Sequence, residues 1–278
     1  MAVHTITLPQ GRLTRIGYLD IPVPAELLGL TAEQVAGVSW AAPTWASDDQ
    51  PLLGNAAWFA DLGGIRLVFD PLQTLDVVLR PDRDSERRHQ DAVADLFAAS
   101  GYPVESVDLV VMTHIDGVGM AARRDDAGNW TPFFPNARIL MSDVELAGFR
   151  QAHPGAATAA DLVGEVWSAL IEAGHVHSYS DGQTLAPSLV AEVSGGHGPG
   201  HSVLHFKEDD GVALSLIGHL AVTPIQLATG ECTALNEDPA AAWRLLHENA
   251  RDGRMIAGSL WPTPGYGRWI EGSLHAGA

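Results

Sequence analysis

Four short strand-like runs each end in a turn of small or polar residues, and this pattern constrains the fold more than any other feature of the sequence. The runs cover residues 107–112, 191–194, 212–217 and 255–257. Short runs bounded by turn residues predict buried strands rather than helices. Three of the four turns contain a histidine: His114, His197 and His219. Because layered α/β proteins carry their chemistry on the loops that follow strands, we predict a functional site at these turns.

Helical periodicity appears between the strand-like runs. It predicts helices over residues 85–100, 143–147, 156–173 and 240–250, and alternation predicts a hairpin of strands over residues 55–60 and 64–69. Ser142 is expected to cap the second helix. Asp70 ends the second hairpin strand before a proline, and we predict a turn-capping role for it.

The length and composition indicate one globular domain. The chain has 278 residues, of which 46% are hydrophobic and 18% are charged. A chain of this length can bury a substantial core, and no Ser/Gly-rich or charge-rich linker divides it. We therefore expect a single domain over residues 1–278, with residues 1–50 forming an N-terminal extension that packs near the site.

The charge balance excludes several classes of partner. The chain has 16 Lys and Arg against 34 Asp and Glu, a formal net charge of −18. Such a surface repels phosphate backbones and anionic lipids, so we expect neither nucleic-acid nor membrane partners.

The first twenty residues lack the basic start and apolar core of a secretory signal, which favours a cytoplasmic protein. Cys232 is the only cysteine, which excludes an intrachain disulfide and a cysteine-based zinc site.

Three segments resemble one known family. Residues 196–201, GHGPGH, follow a predicted strand; residues 134–138, FPNAR, come after the first histidine turn; residues 262–267, PTPGYG, lie near the end. Together with the strand-and-turn pattern, they resemble the metallo-β-lactamase-fold hydrolases. The resemblance implies a four-layer α/β/β/α sandwich of two mixed sheets, with a pair of metal ions held at the turns. It also implies a structural role, rather than a ligand role, for His201, and it places at Asp70 an aspartate that braces the metal loop in the family.

The sequence departs from this family at the metal ligands. His114 is followed directly by Ile115 and Asp116, so one of the family's paired histidines is missing, and Gly117 stands where another is expected. His219 replaces the bridging aspartate, and Leu260 replaces the last histidine. The resemblance therefore implies a divergent member with a degenerate site, which cannot hold two adjacent ions in the family's manner.

The main functional hypothesis is a small-molecule enzyme that works without a metal cofactor. A carboxylate beside imidazoles can orient one of them and create an acid/base pair. In this interpretation His114 or His219 is the acid or base, Asp116 orients it, and His197 binds or polarises a substrate oxygen. The reaction would be hydrolysis, elimination or isomerisation, which corresponds to an atypical hydrolase or a lyase/isomerase.

Two alternatives stay open. In the first, His114, Asp116, His197 and His219 hold one zinc or iron ion, and the enzyme hydrolyses an ester or lactone. In the second, the protein is catalytically silent and binds a small molecule. The oligomeric state is not determined by the sequence, and a homodimer is kept as one option.

A fairly apolar substrate is expected from the residues around the turns. Met120, Leu260 and Trp261 lie close to the predicted site in sequence, and Trp40 lies in the N-terminal extension. Apolar and aromatic side chains of this kind line small-molecule pockets, and we predict substrate contacts for these four residues. The alternative for the tryptophans is ordinary core packing.

Overall fold

The strands build two large sheets and one small hairpin. The structure, a computed structural model, describes residues 2–71, 83–115, 121–155, 161–209, 211–230 and 235–277. In chain order the strands are β1 Ala2–Leu8, β2 Gly11–Pro22, β3 Ala46–Ser47, β4 Gln50–Leu62, β5 Ile65–Phe69, β6 Leu109–Val111, β7 Ala122–Arg124, β8 Trp130–Pro132, β9 Arg138–Ser142, β10 Val176–Tyr179, β11 Thr184–Ala186, β12 Leu189–Val193, β13 Ser202–Glu208, β14 Gly211–Leu216, β15 Met255–Ala257, β16 Tyr266–Ile270 and β17 Ser273–Ala276.

Both large sheets are mixed. The first has the order β1-β2-β4-β5-β6-β9-β10, with β3 paired to β4, and the second runs from β11 to β17 in chain order. In the first sheet the pairs β5–β6, β6–β9 and β9–β10 are parallel. The pairs β1–β2, β2–β4 and β4–β5 are antiparallel. In the second sheet only the β14–β15 pair is parallel among the described strands. The small hairpin pairs β7 with β8.

The helices connect the strands and lie on the outer faces of the sheets. They are α1 Ala32–Gly37, α2 Arg83–Ala99, α3 Asp143–Ala152, α4 Leu162–Glu172, α5 Gln226–Thr229 and α6 Pro239–Ala250, with 3₁₀ turns at Ala25–Leu28, Val104–Ser106 and Arg251–Gly253. Ser142 caps α3 as predicted, because its hydroxyl accepts a hydrogen bond from the Glu145 amide. None of the helices in the described part of the chain has both the length and the apolar character needed to cross a membrane.

Three buried layers of side chains hold the elements together. Leu67, Phe69 and Val111 point between the two sheets, where they pack against second-sheet residues such as Leu204 and Leu216. Their neighbours of opposite parity, such as Val68 and Val110, face outward against α2, α3 and α4. A third cluster covers the outer face of the second sheet with α6 and part of the N-terminal region. Strands buried on both faces explain why the predicted runs are continuously apolar.

This arrangement confirms the predicted α/β/β/α sandwich of two mixed sheets. The predicted helices and the hairpin are present in the described residues, and residues 156–160 of the third predicted helix lie outside them. The strand expected over residues 107–112 is limited to Leu109–Val111. The N-terminal residues differ from the extension that we expected. Residues 2–22 form two strands of the first sheet, and Leu28, Val35 and Trp45 then pack on the outer face of the second sheet. The pattern of β2 is hard to recognise because Leu13 to Gly17 are buried on both faces and do not alternate.

Candidate functional site

Loops at the ends of three strands bring three histidines together. His114 follows β6 of the first sheet, whereas His197 and His219 follow β12 and β14 of the second. The ring centroid of His114 lies 4.4 Å from that of His197 and 4.6 Å from that of His219, and the other two centroids are 5.6 Å apart. One ring nitrogen of each histidine lies within 4.8 Å of the others. His114 and His219 are buried, and His197 is partly exposed.

Glycine makes the turn before His219 possible. Gly218 has a φ of 54°, in the left-handed region that disfavours side chains. A Cβ atom at this position would lie only 2.6 Å from Thr113 Oγ1 and from His201 Nε2. The close approach of this turn to Thr113 is what brings His219 against His114.

A buried carboxylate supports His114. Asp70 Oδ1 accepts a hydrogen bond from the Thr113 amide, and Asp70 Oδ2 accepts from the Thr113 and Ser259 hydroxyls, each at 2.7 Å. The Thr113 oxygen in turn lies 3.0 Å from His114 Nδ1. Because the Thr113 hydroxyl proton is directed to Asp70, its oxygen accepts from His114 Nδ1–H. The neutral His114 ring then carries its lone pair on Nε2.

The turn-capping role predicted for Asp70 is therefore wrong. Its partners Thr113 and Ser259 are 43 and 189 residues away in sequence. Asp70 has a φ of 36°, and its side chain is directed toward the ends of β6 and β15. A buried carboxylate requires compensating donors, and these two loops supply them. Local sequence could not identify distant partners.

A neutral amide supports His197. His197 Nδ1 lies 2.8 Å from Asn236 Oδ1, while Asn236 Nδ2 donates to the Leu220 carbonyl at 3.3 Å. That second bond fixes the amide orientation, so Oδ1 accepts from His197 Nδ1–H and the lone pair of the neutral ring is on Nε2. The Glu237 amide also donates to the His197 carbonyl. Sequence analysis missed Asn236, which lies in a loop without a recognisable motif.

Further contacts hold the loop that contains His114. Glu145 Oε1 accepts from the Ile115 amide at 2.8 Å, which ties the loop to α3. The Tyr179 hydroxyl donates to the Met112 carbonyl, and burial raises the pKa of Tyr179, so this donor stays protonated. His201 is fully buried beside the three histidines, with its Nδ1 3.2 Å from Ser194 Oγ.

Comparison with solved structures identifies the architecture. The hydrolase AbOPH of the beta lactamase superfamily aligns with a TM-score of 0.73 at 19% identity, covering 98% of this chain and 95% of that chain. AidC, a dizinc quorum-quenching lactonase, aligns with a TM-score of 0.73 at 14% identity, covering 99% and 97%. A probable metal-dependent hydrolase from Staphylococcus aureus gives 0.62 at 13% identity, covering 92% and 91%. The chain has the metallo-β-lactamase fold. No protein-family model and no curated protein matches the sequence.

The prediction that the site works without a metal cofactor is wrong. Two of the similar structures with the metallo-β-lactamase fold are of a dizinc enzyme and a probable metal-dependent hydrolase. In this chain, one ring nitrogen of each of His114, His197 and His219 lies within 4.8 Å of the others, so the three could hold a metal ion. The donor set fits, because imidazole is a preferred ligand of zinc and iron, and hydrogen bonds at Nδ1 direct the lone pairs of two rings to Nε2.

The other predicted site residues do not all gather at this end of the metallo-β-lactamase fold. Asp116 and Met120 lie outside the described residues, as does Cys232. Leu260 is partly buried directly after Ser259, and its carbonyl accepts from the Gly54 amide.

Trp261 and Trp40 make their hydrogen bonds to backbone carbonyls and not to the three histidines. Trp261 is fully buried, donates to the Ala221 carbonyl, and packs edge-on against Trp45, so it is part of the core. Trp40 donates to the Gly272 carbonyl in the turn after β16. Because β14 and β15 run parallel toward the histidines and β16 runs back, this turn is at the opposite end of the second sheet.

Proposed function

We propose that this protein is a small-molecule hydrolase that holds one zinc or iron ion with His114, His197 and His219. The observation that carries the proposal is the convergence of three imidazoles, two of which have their Nδ1 atoms engaged with Thr113 and Asn236. Three imidazoles with an open fourth position are a common catalytic arrangement for zinc.

The chemistry of His219 favours one ion rather than two. In the family that the sequence resembles, this position holds an aspartate that bridges two ions. A carboxylate has two oxygens with which to bridge, whereas a neutral imidazole offers a single lone pair to a single ion. We keep Asp116 as a fourth donor or as an acid/base group, on its sequence position alone.

When bound, a divalent ion would supply a Lewis acid and lower the pKa of water. The protein's own residues would supply orientation. Asp70 and Thr113 hold His114 in one tautomer, and Asn236 does the same for His197. Fixed rings require no reorganisation before reaction, which is the general advantage of a preorganised site.

An ester or lactone is the substrate class that we propose. The similar structures include the lactonase AidC and an N-acyl homoserine lactone hydrolase with its product at the catalytic metal centre. Hydrolysis of an activated acyl group needs the Lewis acid and the oriented site described above, and needs no organic cofactor.

Metal analysis of protein purified without a histidine tag tests the proposal. We expect about one equivalent of zinc or iron per chain, loss of thermal stability and of esterase or lactonase activity with a chelator, and recovery when the ion is restored. Two equivalents per chain would contradict the single-ion site. Protein that binds no added zinc or iron would overturn the proposal as a whole.

A further inference from the structure

We infer that an apolar cavity beside the three histidines binds an uncharged hydrocarbon tail of the substrate; this inference rests on the proposed function and names the substrate class more closely. The cavity has a volume of about 360 Å³. Its apolar lining comes from helices α3 and α4 and from two of the site loops, and includes Ile115, Val144, Gly148, Phe149, Val163 and Pro199.

The cavity is lined by residues that directly adjoin the histidine site in the chain. Ile115 directly follows His114, and Pro199 lies between His197 and His201. Glu237, at the same cavity, directly follows Asn236, the residue that supports His197. A molecule whose reactive group contacts the histidines therefore has this cavity within reach of its remaining atoms.

The lining determines what kind of group fits. Val144 is 44% exposed and presents apolar surface, while the largely buried Phe149 lines the cavity with its ring stacked on His153, the centroids 4.4 Å apart. Burying such surface against a hydrocarbon is favourable. The polar residues of the cavity include Glu145 and Glu237, whose carboxylates repel an anionic group. The cavity therefore favours an uncharged tail and directs a carbonyl or carboxylate head toward the histidines.

Gly148 controls the depth of this cavity. It lies inside helix α3, where glycine is an unfavourable choice compared with alanine. A Cβ atom added there would meet no heavy atom of the described residues within 4 Å. A larger residue would keep the helix and occupy the cavity. We assign Gly148 as a residue that determines substrate chain length.

Substitution of this glycine provides a test in which unfolding is not a concern. In the zinc- or iron-loaded full-length protein, we expect Gly148→Leu to lower kcat/KM for 4-nitrophenyl octanoate by about tenfold or more, mainly through KM. Turnover of 4-nitrophenyl acetate, which has no tail to place, should fall much less than turnover of the octanoate ester. The melting temperature should not fall, because leucine is the better helix former.

Gln151→Leu is the matched control. It adds the same side chain to the same helix at an exposed position that does not line the cavity. We expect this variant to treat both esters as the unmodified protein does. Equal losses for octanoate in the two variants, or no loss in Gly148→Leu, would overturn the inference.

A binding measurement separates failure of this inference from failure of the proposed function. Calorimetric titration with octanamide and with acetamide requires no catalysis. We expect octanamide alone to bind, and Gly148→Leu to weaken its binding about tenfold or more. Octanamide binding without turnover of any ester would count against the hydrolase and leave the cavity assignment supported. Absence of octanamide binding, or binding equal in both proteins, would overturn the cavity assignment.

Discussion

His114 and His205 are two buried histidines with nearly the same first contact and very different surroundings. Each places Nδ1 3.0 Å from a hydroxyl oxygen, that of Thr113 for His114 and that of Ser215 for His205. On its other side, His205 Nε2 lies 2.8 Å from Glu192 Oε2. The ring of His114 instead faces two further histidines.

The difference shows why burial of a histidine does not by itself identify a ligand. His205 lies within β13 on the outer face of the second sheet, and both of its nitrogens contact polar groups of the protein. His114 lies beyond the end of its strand, where a neighbouring loop can approach. A histidine that is hydrogen-bonded at both nitrogens is structural, whereas a ligand keeps one nitrogen directed at a shared point.

The largest expected effect separates these two histidines. We expect His114→Ala to reduce bound zinc or iron to a small fraction of that in the unmodified protein, because it removes one of the three proposed ligands. His205→Ala should keep the full metal content, although it loses two hydrogen bonds and some stability. Elemental analysis of both variants after equal dialysis measures this. Full metal content in a folded His114→Ala protein would remove the assigned role of His114.

A smaller effect on zinc affinity is expected from the two residues that orient the histidines, the charged Asp70 and the neutral Asn236. Loss of a residue that supports a metal ligand through hydrogen bonds typically weakens metal binding about 10- to 100-fold. Within this range, we expect Asp70→Asn to weaken zinc binding by about 100-fold and Asn236→Ala by about tenfold. Asp70 is an anion with three hydrogen bonds, whereas Asn236 makes a single contact to His197. Asparagine also tolerates the φ of 36° at position 70, so the backbone is preserved.

Competition with a chromogenic chelator measures both zinc affinities. Ser259→Ala serves as the intermediate control, since it removes one of the three bonds to Asp70 and leaves the anion in place. If Asn236→Ala weakened zinc binding more than Asp70→Asn, the charged support would not be the stronger one.

The smallest expected effect is the pH-dependent contribution of the Glu192–His205 pair to the free energy of unfolding. The hydrogen bond from His205 lowers the pKa of Glu192 below its ordinary value of 4.5. A carboxyl whose pKa is lower in the folded than in the unfolded protein stabilises the fold fully at a pH above its unfolded-state pKa. This contribution is lost as the pH falls through the folded-state pKa. Since the Glu192 side chain is half exposed, we expect Glu192→Gln to cost less than about 1 kcal/mol at pH 7.

Urea unfolding at several pH values between 7 and 3 checks this expectation. The difference in unfolding free energy between the unmodified protein and Glu192→Gln should shrink toward zero below pH 4.5. A difference that grew as the pH fell would mean that the pair has the opposite linkage.

The parts of the site that follow strands were predictable from the sequence. His114, His197 and His219 stand directly after apolar runs, and the ends of neighbouring strands meet at one edge of a sheet. The family resemblance pointed to a supporting aspartate at Asp70, but the proline that follows it favoured turn capping in the local sequence. Asn236 was not predictable, because its partner His197 is distant in sequence. The prediction of a metal-free site was wrong because the sequence was compared with a pattern of ligands for two ions. The sequence alone did not show that the three remaining histidines lie close together.

The three histidines come from two different parts of the chain, each of which forms one of the large sheets. Every strand of the first sheet comes from residues 2–179, and every strand of the second from residues 184–276. His114 belongs to the first half, and His197 and His219 belong to the second. Neither half alone contains the complete triad, so the triad forms only when the two sheets are docked in register. An ion bound by the proposed ligands would link the two halves, and its retention would report whether they are correctly joined.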